Sequence, residues 1–186
     1  RLPIVITKPL IKNASSYKQR PTFKPEEQAM LVAQAADTTS KAYQPWKELA
    51  ILLMVQTACI ASELQRLRTE NLHLDDAVPH VVFTGELKTK NRERVNPLVF
   101  RLERIRELVG EIEDESGHVF GKAIAATTES NVSHQLSKLC KKVNEEATAY
   151  SNRHTFRAKA QANGVDYLSI ALLGGWSGSD LGVNTV

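Results

Sequence analysis

The chain has 186 residues, 42% of them hydrophobic, and a formal net charge of +3 with an isoelectric point near 8.9. This length fits one domain, or one domain with an arm, and the apolar fraction suffices for a hydrophobic core. The mild positive charge is compatible with nucleic acid, although many proteins with such a charge never bind it. The apolar run at 49–55 is far shorter than the roughly 20 residues of a membrane-spanning helix, which excludes such a helix there.

The cysteines and histidines show none of the spacings typical of metal or redox motifs. Cys59 and Cys140 stand far apart, and we expect them to be reduced core thiols of a cytosolic protein. The sequence predicts neither a metal site nor a cofactor, because its five histidines are equally scattered: His73, His80, His118, His134 and His154. The chain has no initiating methionine and no signal peptide, which favours its interpretation as a fragment or an isolated domain.

The first half of the chain predicts an arm followed by helices. Residues 1–20 mix Pro, Lys, Asn and Ser without a period, which is typical of an arm or interdomain linker. A helix is predicted from Pro25 to about Asp37, because proline and two glutamates suit a first turn. A more apolar helix follows at about 45–60. A short third helix begins near Ser62, with Glu63 in its first turn.

After Asp76 the pattern changes to short strands and then returns to helices. The segments "HVVFTG" and "RVNPLVF" are rich in Val and Phe and predict two strands joined by the polar "ELKTKNRER". The tip of this hairpin is expected to carry Lys88, Lys90, Arg92 and Arg94. Helices are predicted at about 102–113, 132–147, 153–163 and 167–173, with Gly164 ending the third of these. Residues 21–186 therefore predict one mainly helical α+β domain with a small basic hairpin.

Arg153 is predicted at the start of a helix, where a cation is locally unfavourable. Ser151 or Asn152 can cap this helix, and the positive end of the helix dipole then lies beside the guanidinium. A bound anion such as phosphate would reconcile the two positive charges. The alternative is a surface arginine with His154 packed under the cap.

Four segments of the sequence, in order, resemble the boxes of the tyrosine recombinases, or phage integrases. The C-terminal signature matches "RHTF", a glycine eleven residues after Arg153, and "LLGGW", which places Trp176 twenty-three residues after Arg153. The segment "TACIASELQRLRTENL" is similar to the family's arginine box, and "GELKT" to the turn that carries its lysine. "RPTFKPEEQAMLV" resembles the start of the catalytic domain, so the resemblance covers about residues 20–183.

The resemblance implies a role for individual residues. Arg153 matches the second catalytic arginine, Glu63 matches the acidic residue that orients the site, and Trp176 matches the His/Trp hydrogen-bond donor. Lys88 matches the general acid, with Lys90 as the alternative. Tyr150 stands where the family usually has histidine. The residues expected to contact DNA phosphates are Lys90, Arg92, Arg94, Lys138, Lys141 and Lys142.

The chemistry implied by the resemblance is metal-free cleavage and rejoining of DNA through a phosphotyrosine intermediate, as in site-specific recombination or integration. Arginines bind two phosphate oxygens with a planar fork, and a lysine protonates the leaving 5′ oxygen. The expected partner is double-stranded DNA, on which members of the family assemble as tetramers. The resemblance also implies a bacterial or phage-encoded protein of the cytoplasm, associated with the nucleoid.

Two departures from the family pattern leave alternatives open. The family's first arginine falls on Ile60, which cannot hold phosphate oxygens. The family's nucleophilic tyrosine lies nine or more residues after Trp176, but no tyrosine follows Tyr167 in this sequence. Either the nucleophile lies beyond Val186 or the chain has lost it. The alternatives are therefore a degenerate relative that binds DNA without cleaving it, or a helix-turn-helix module in "FRAKAQANGVDYLSIALL", which leaves Arg153 without a role.

Overall fold

The computed structural model describes residues 21–84 and 93–176. Over these ranges the chain forms α-helices at α1 Pro25–Ala35, α2 Pro45–Thr57, α3 Ala61–Gln65, α4 Leu102–Ile112, α5 Gly121–Ala125, α6 Glu129–Val143, α7 Ser151–Ala162 and α8 Tyr167–Gly174. The strands are β1 Leu72–His73, β2 His80–Phe83 and β3 Arg94–Pro97. The predicted α+β class, mainly helical with a small sheet, is confirmed. None of the helices described is both long and apolar enough to cross a membrane.

Helix α2 is the centre of the hydrophobic core. Its sequence is apolar on every side, and such a helix is stable only where neighbours surround it. Leu49, Ile51 and Leu53 are all fully buried, while α1, α4 and α7 pack around them. Proline at the first position begins the helix, and Ala58 ends it in the left-handed conformation at φ 57°. The second predicted helix therefore stops at Thr57, three residues earlier than expected, so that Ile60 lies outside it.

The sheet is antiparallel in the order β1-β2-β3, with Phe83 opposite Arg94 in the last pair. Strand β3 has an inverted pattern, because Arg94 and Asn96 point inward while Val95 is 55% exposed. The inward side chains have polar partners, since the Asn96 amide donates to the Leu173 carbonyl at 2.8 Å. The two predicted strands are confirmed. Strand β1 was not predicted, because two residues are too short to show a period.

The four later helices that the sequence predicts are all present but differ at their ends, and a fifth, the short α5, was not predicted. Helix α6 begins at Glu129 because Thr128 caps it, its hydroxyl accepting from the Asn131 amide at 3.3 Å. It ends at Val143, four residues before the predicted end. Gly164 does follow α7 with φ +73°, a conformation in which glycine avoids the strain of a side chain.

Candidate active site

Arg153 is buried at a point where three segments of the chain meet. It is the third residue of α7 and only 2% exposed. Its Nη1 donates to the Ala58 carbonyl at 2.9 Å, and its Nη2 donates to the Gly175 carbonyl at 3.2 Å. One guanidinium thus joins the end of α2, the start of α7 and the turn after α8. The expected position at a helix start is confirmed, but the side chain is inside the domain rather than on the surface.

Neither residue expected to cap α7 does so. The Ser151 hydroxyl accepts from the Thr148 amide at 3.0 Å, and the Asn152 amide donates back to the Ala149 carbonyl at 3.3 Å. Both side chains therefore hold the preceding turn, and Tyr150 occupies the cap position without a side-chain cap bond. The capping prediction was wrong because these two residues already belong to the helix.

Trp176 covers the guanidinium of Arg153. The Arg153 Cζ lies 4.2 Å from the centroid of the indole ring, within the range of a favourable cation–π contact. Phe156 supports the ring from α7, with ring centroids 6.5 Å apart. The family resemblance implies that the indole N–H donates to a phosphate. The structure places the face of the ring on the arginine, and the donor role stays a prediction.

The two glycines of "GGW" have different functions in this turn. Gly175 ends α8 in the left-handed conformation at φ 63°, the usual place for glycine at a helix end. Gly174 has an ordinary helical conformation, but a methyl group on it would overlap the six-membered ring of Trp176. The indole therefore reaches Arg153 because Gly174 has no side chain.

Ile60, where the family pattern has its first arginine, adjoins the same site. It lies two residues after Ala58, whose carbonyl holds Arg153, and it is the residue that precedes α3. Its side chain is half-buried. The apolar side chain of Ile60 thus follows, by two residues, the carbonyl of Ala58 that accepts from Arg153.

Glu63 and Arg94 form a buried pair beside this site. The Arg94 guanidinium donates to both carboxylate oxygens of Glu63, at 3.1 and 2.9 Å, and both side chains are 2% exposed. Glu63 also accepts from the Ile60 amide at 3.0 Å, and Arg94 stacks on the Phe83 ring at 4.2 Å. The placement of Arg94 at an exposed hairpin tip was wrong. Strand β3 begins at Arg94 and turns it inward, where a carboxylate compensates its burial.

Of the remaining predicted residues at the site and its hairpin, the structure describes Tyr150 but not the three on the hairpin tip. Tyr150 is half-buried, with its ring edge-on to His154 at 5.0 Å between centroids. Lys88, Lys90 and Arg92 lie outside the described residues. The strands on either side of them are in place, and β3 is tied to the end of α8 by the bond from Asn96 to Leu173.

A basic patch extends from α6 to the first turn of α2. Lys138, Lys141 and Lys142 are all exposed on α6. Lys47 was not predicted. Burial lowers its pKa most, and the nearby charges of Lys138 and Lys142 lower it further. The one signal in the sequence was a lysine in the first turn of a mainly apolar helix. We call Lys47, Lys138, Lys141 and Lys142 the α6 basic patch.

One group of described residues has the composition of a metal site, contrary to the expectation from spacing. His73, Asp76 and His80 each bring a ligand atom within 4.8 Å of the other two. Histidine spacing along the chain did not show this group, because pairing of β1 with β2 brings its members together.

Comparison with known proteins gives one family and one fold. A model of the phage integrase family matches residues 23–181. The Tn1549 transposon integrase in complex with circular intermediate DNA aligns with a TM-score of 0.70 at 16% identity, over 92% of this chain and 62% of that one. XerA recombinase aligns with a TM-score of 0.65 at 16% identity, over 87% and 59%.

The XerH site-specific recombinase bound to a palindromic difH substrate aligns with a TM-score of 0.69 at 18% identity, over 88% of this chain and 48% of that one. At such identities the likeness shows the fold alone. The chain spans less than two thirds of each of these three solved chains. No curated protein sequence matches the chain.

Proposed function

Because the chain belongs to the phage integrase family, we propose that it acts in site-specific recombination of double-stranded DNA. In this proposal it cleaves and rejoins strands through a phosphotyrosine intermediate. The observation that supports this proposal best is the fixed guanidinium of Arg153 under Trp176, at the start of α7. A helix N-terminus stabilises anions, and a cation already held in place needs little rearrangement when charge develops on a phosphate.

The reaction assigns a step to each group. A tyrosine hydroxyl attacks the phosphorus and loses its proton to water, the bond from phosphorus to the 5′ oxygen breaks, and Lys88 gives its proton to that leaving oxygen. Arg153 balances charge on the non-bridging oxygens, and Trp176 supplies one further donor. Rejoining reverses these steps with a 5′ hydroxyl. Residues 168–186 contain no tyrosine, so the proposal requires a nucleophile from outside this sequence.

Glu63 contributes by position rather than by contact with DNA. Its carboxylate holds the Ile60 amide and the Arg94 guanidinium, so it connects the start of α3 to the start of β3. The hairpin that carries Lys88 returns into the domain at Arg94. Glu63 therefore fixes the start of β3, where the hairpin ends, relative to the loop that precedes α3.

The wider organisation follows from the same proposal. Residues 1–20, which the structure does not describe, act as a linker to a second DNA-clamping domain, and residues 21–186 form the catalytic domain. Several copies assemble on one DNA site, as a tetramer in a complete reaction. The protein works on the nucleoid in the cytoplasm.

Ile60 favours a second candidate, a degenerate relative that binds DNA without cleaving it. An apolar side chain at this position removes one bidentate phosphate contact. Loss of a single transition-state donor costs on the order of 10²–10³ in rate in other enzymes. The α6 basic patch needs no catalysis to bind phosphates.

One experiment separates the two candidates. A random duplex library is first selected by gel shift with the chain extended to include a tyrosine-bearing segment, and the selected duplex is then nicked and labelled. Denaturing electrophoresis detects any covalent adduct. An adduct that disappears in Arg153→Lys supports the recombinase, and binding without an adduct supports the degenerate relative. An adduct at Tyr150 or Tyr167, or no selected DNA at all, contradicts the assignments.

A further inference from the structure

A cluster of two histidines and one aspartate lies at the end of the sheet away from the hairpin. His73 and His80 are directly opposite each other in the antiparallel pairing of β1 with β2. Asp76 lies in the loop between them, and its Oδ2 is 3.9 Å from His73 Nδ1 and 3.8 Å from His80 Nδ1. Strand β2 separates His80 from Phe83, at the hairpin end, by about 10 Å.

We propose that His73, Asp76 and His80 bind a divalent transition-metal ion, for which Zn²⁺ is the best match. Imidazole nitrogen and carboxylate oxygen are ligands that Zn²⁺ prefers, and three protein ligands leave a further position for water. Hard ions such as Mg²⁺ prefer oxygen ligands, so this set discriminates against them. The site goes beyond the proposed function, because the recombination chemistry needs no metal.

The backbone already prepares one of the ligands. His80 Nδ1 lies 2.9 Å from the Val78 carbonyl, which can only accept a hydrogen bond. When Nδ1 carries the proton, Nε2 keeps its lone pair, and histidine ligands commonly donate their second ring N–H to a carbonyl in this way. The carbonyl therefore selects a tautomer that can bind a metal.

The other two ligands need only small movements. The rings of His73 and His80 are stacked, with centroids 4.5 Å apart and planes 14° from parallel. Parallel rings point their lone pairs side by side, so binding requires side-chain rotations that make them converge. Ligand atoms about 2.0–2.1 Å from a tetrahedral Zn²⁺ are roughly 3.3 Å apart. The present gap of 3.9 Å between His73 Nδ1 and Asp76 Oδ2 is close to that value, and rotation of the His80 ring must bring its Nε2 toward them.

The charges nearby leave Asp76 facing the histidines. The neighbouring carboxylate of Asp75 is 3.4 Å from Arg106 Nε, and a second amino group of Arg106 contacts the Leu74 carbonyl. Arg106 is therefore engaged by Asp75 and the Leu74 carbonyl. Asp76 is 57% exposed, His73 38% and His80 23%, so an ion can reach all three from solvent.

The competing explanation is that protonated histidines simply neutralise Asp76. The two explanations differ in what they require of the solution. A charge pair needs no added ion, whereas a metal site saturates with one ion per chain. A bound metal also stabilises the folded state by mass action, because it connects β1 to β2 and has no preformed site in the unfolded chain.

The test is calorimetric titration of the 186-residue chain with ZnCl₂ at about pH 7.5, above the usual histidine pKa of about 6.5. We expect one ion per chain. His73→Ala and His80→Ala should each weaken binding by about tenfold or more, at least the loss seen when outer-shell partners are removed. His134→Ala removes an exposed histidine on α6, and Asp75→Asn removes the neighbouring carboxylate. Both controls should bind as the unaltered chain does.

Thermal unfolding gives an independent readout. Zn²⁺ should raise the melting temperature of the unaltered chain, and MgCl₂ at the same concentration should not. Asp76→Asn keeps the shape of the side chain and therefore serves if a histidine variant fails to fold; its melting temperature should not respond to Zn²⁺. The proposal is overturned if no saturable binding occurs, if His73→Ala and Asp76→Asn bind as well as the unaltered chain, or if His134→Ala loses binding.

Discussion

At the scale of single residues, the candidate site depends on how Arg153 is buried. A guanidinium that is 2% exposed must be compensated, and two carbonyls together with an aromatic face do so here. The carbonyl of Ala58 is available because α2 ends there in a left-handed conformation. The position of one alanine thus determines where the cation is held.

Ile60→Arg should increase the affinity of the chain for DNA. The new guanidinium would stand two residues after Ala58, beside the buried Arg153, and would supply a bidentate phosphate contact. Gel shift at fixed salt, with circular dichroism to verify folding, measures the change. Ile124→Arg, at another half-buried isoleucine, is the matched control and should add only a general charge effect. Equal affinities for the two variants would contradict the assignment of position 60.

The two cysteines should resist thiol reagents in the folded chain. Burial raises the pKa of Cys59 and of Cys140 to about 12 in each case, and only the thiolate reacts. At about pH 8 the native chain should show almost no reaction with an aromatic disulfide reagent, whereas both thiols should react in urea. Fast labelling of either cysteine without denaturant would show that its segment opens readily.

At the scale of elements, the turn after α8 depends on a missing side chain. Gly174→Ala should destabilise the chain by about 1–3 kcal/mol, the usual cost of overpacking, because the added methyl overlaps the Trp176 ring. Gly110→Ala is the matched control: it lies within α4, and a side chain there meets nothing within 4 Å. That variant should be more stable by up to about 1 kcal/mol from helix propensity. Urea denaturation measures both, and similar results for the two glycines would contradict the packing.

A buried carboxylate joins α2 to α4. Burial alone would raise the pKa of Glu48, but hydrogen bonds from Arg104 and Tyr43 outweigh it, and the pKa is lowered from 4.5. The stabilisation is therefore present above the unfolded pKa and is lost as the pH falls through the folded value. Arg104→Met should lower the free energy of unfolding by about 1–3 kcal/mol near neutral pH, because it removes a hydrogen-bond partner of the buried Glu48 carboxylate.

Acid unfolding followed by circular dichroism provides the second measurement on this pair. Arg104→Met should unfold at a higher pH than the unaltered chain. Arg106→Met, on the same helix, removes a more exposed set of ion pairs worth about 0–1 kcal/mol and should change little. A larger effect at Arg106 than at Arg104 would refute the assignment.

At the scale of the whole molecule, charge should govern binding to DNA. The observed binding constant falls with salt by a slope of about −0.9 for each phosphate neutralised. Replacing Lys138 and Lys142 of the α6 basic patch by glutamine should therefore make the plot of log binding constant against log salt concentration shallower, by about 2 in slope. Gel shifts at several salt concentrations measure it. Replacing Lys41 and Lys122, outside the patch, is the control, and an equal effect there would show that only net charge matters.

The sequence predicted most helices, because their apolar periods and stop signals are local. Strand propensity correctly predicts a strand at residues 94–97. The usual alternation would turn Val95 inward, however, and in the structure Val95 points outward while Arg94 and Asn96 point inward. The inner partners of β3 are a carboxylate from α3 and a carbonyl from α8, and only the tertiary fold brings them there. The histidine pair was not predictable for the same reason, since His73 and His80 come together only when β1 pairs with β2.

The candidate site was predictable where a motif fixes its spacing and not where packing decides. Arg153, Trp176 and Glu63 follow from boxes in order along the chain. The burial of Arg153 and the part played by Ala58 do not, because a backbone carbonyl can belong to any residue. Lys47 was missed for a similar reason: its lysine neighbours lie on another helix.

The backbone N–H of Phe23 donates to the Thr155 hydroxyl at 2.8 Å, and that hydroxyl donates to the Ser151 carbonyl, also at 2.8 Å. Thr155 is two residues from Arg153 on α7, and Phe23 is buried at 5% exposure. The chain that precedes α1 is thus hydrogen-bonded to α7, the helix that carries Arg153. A mechanical force applied to the chain before Phe23 would therefore act on α7 through this bond.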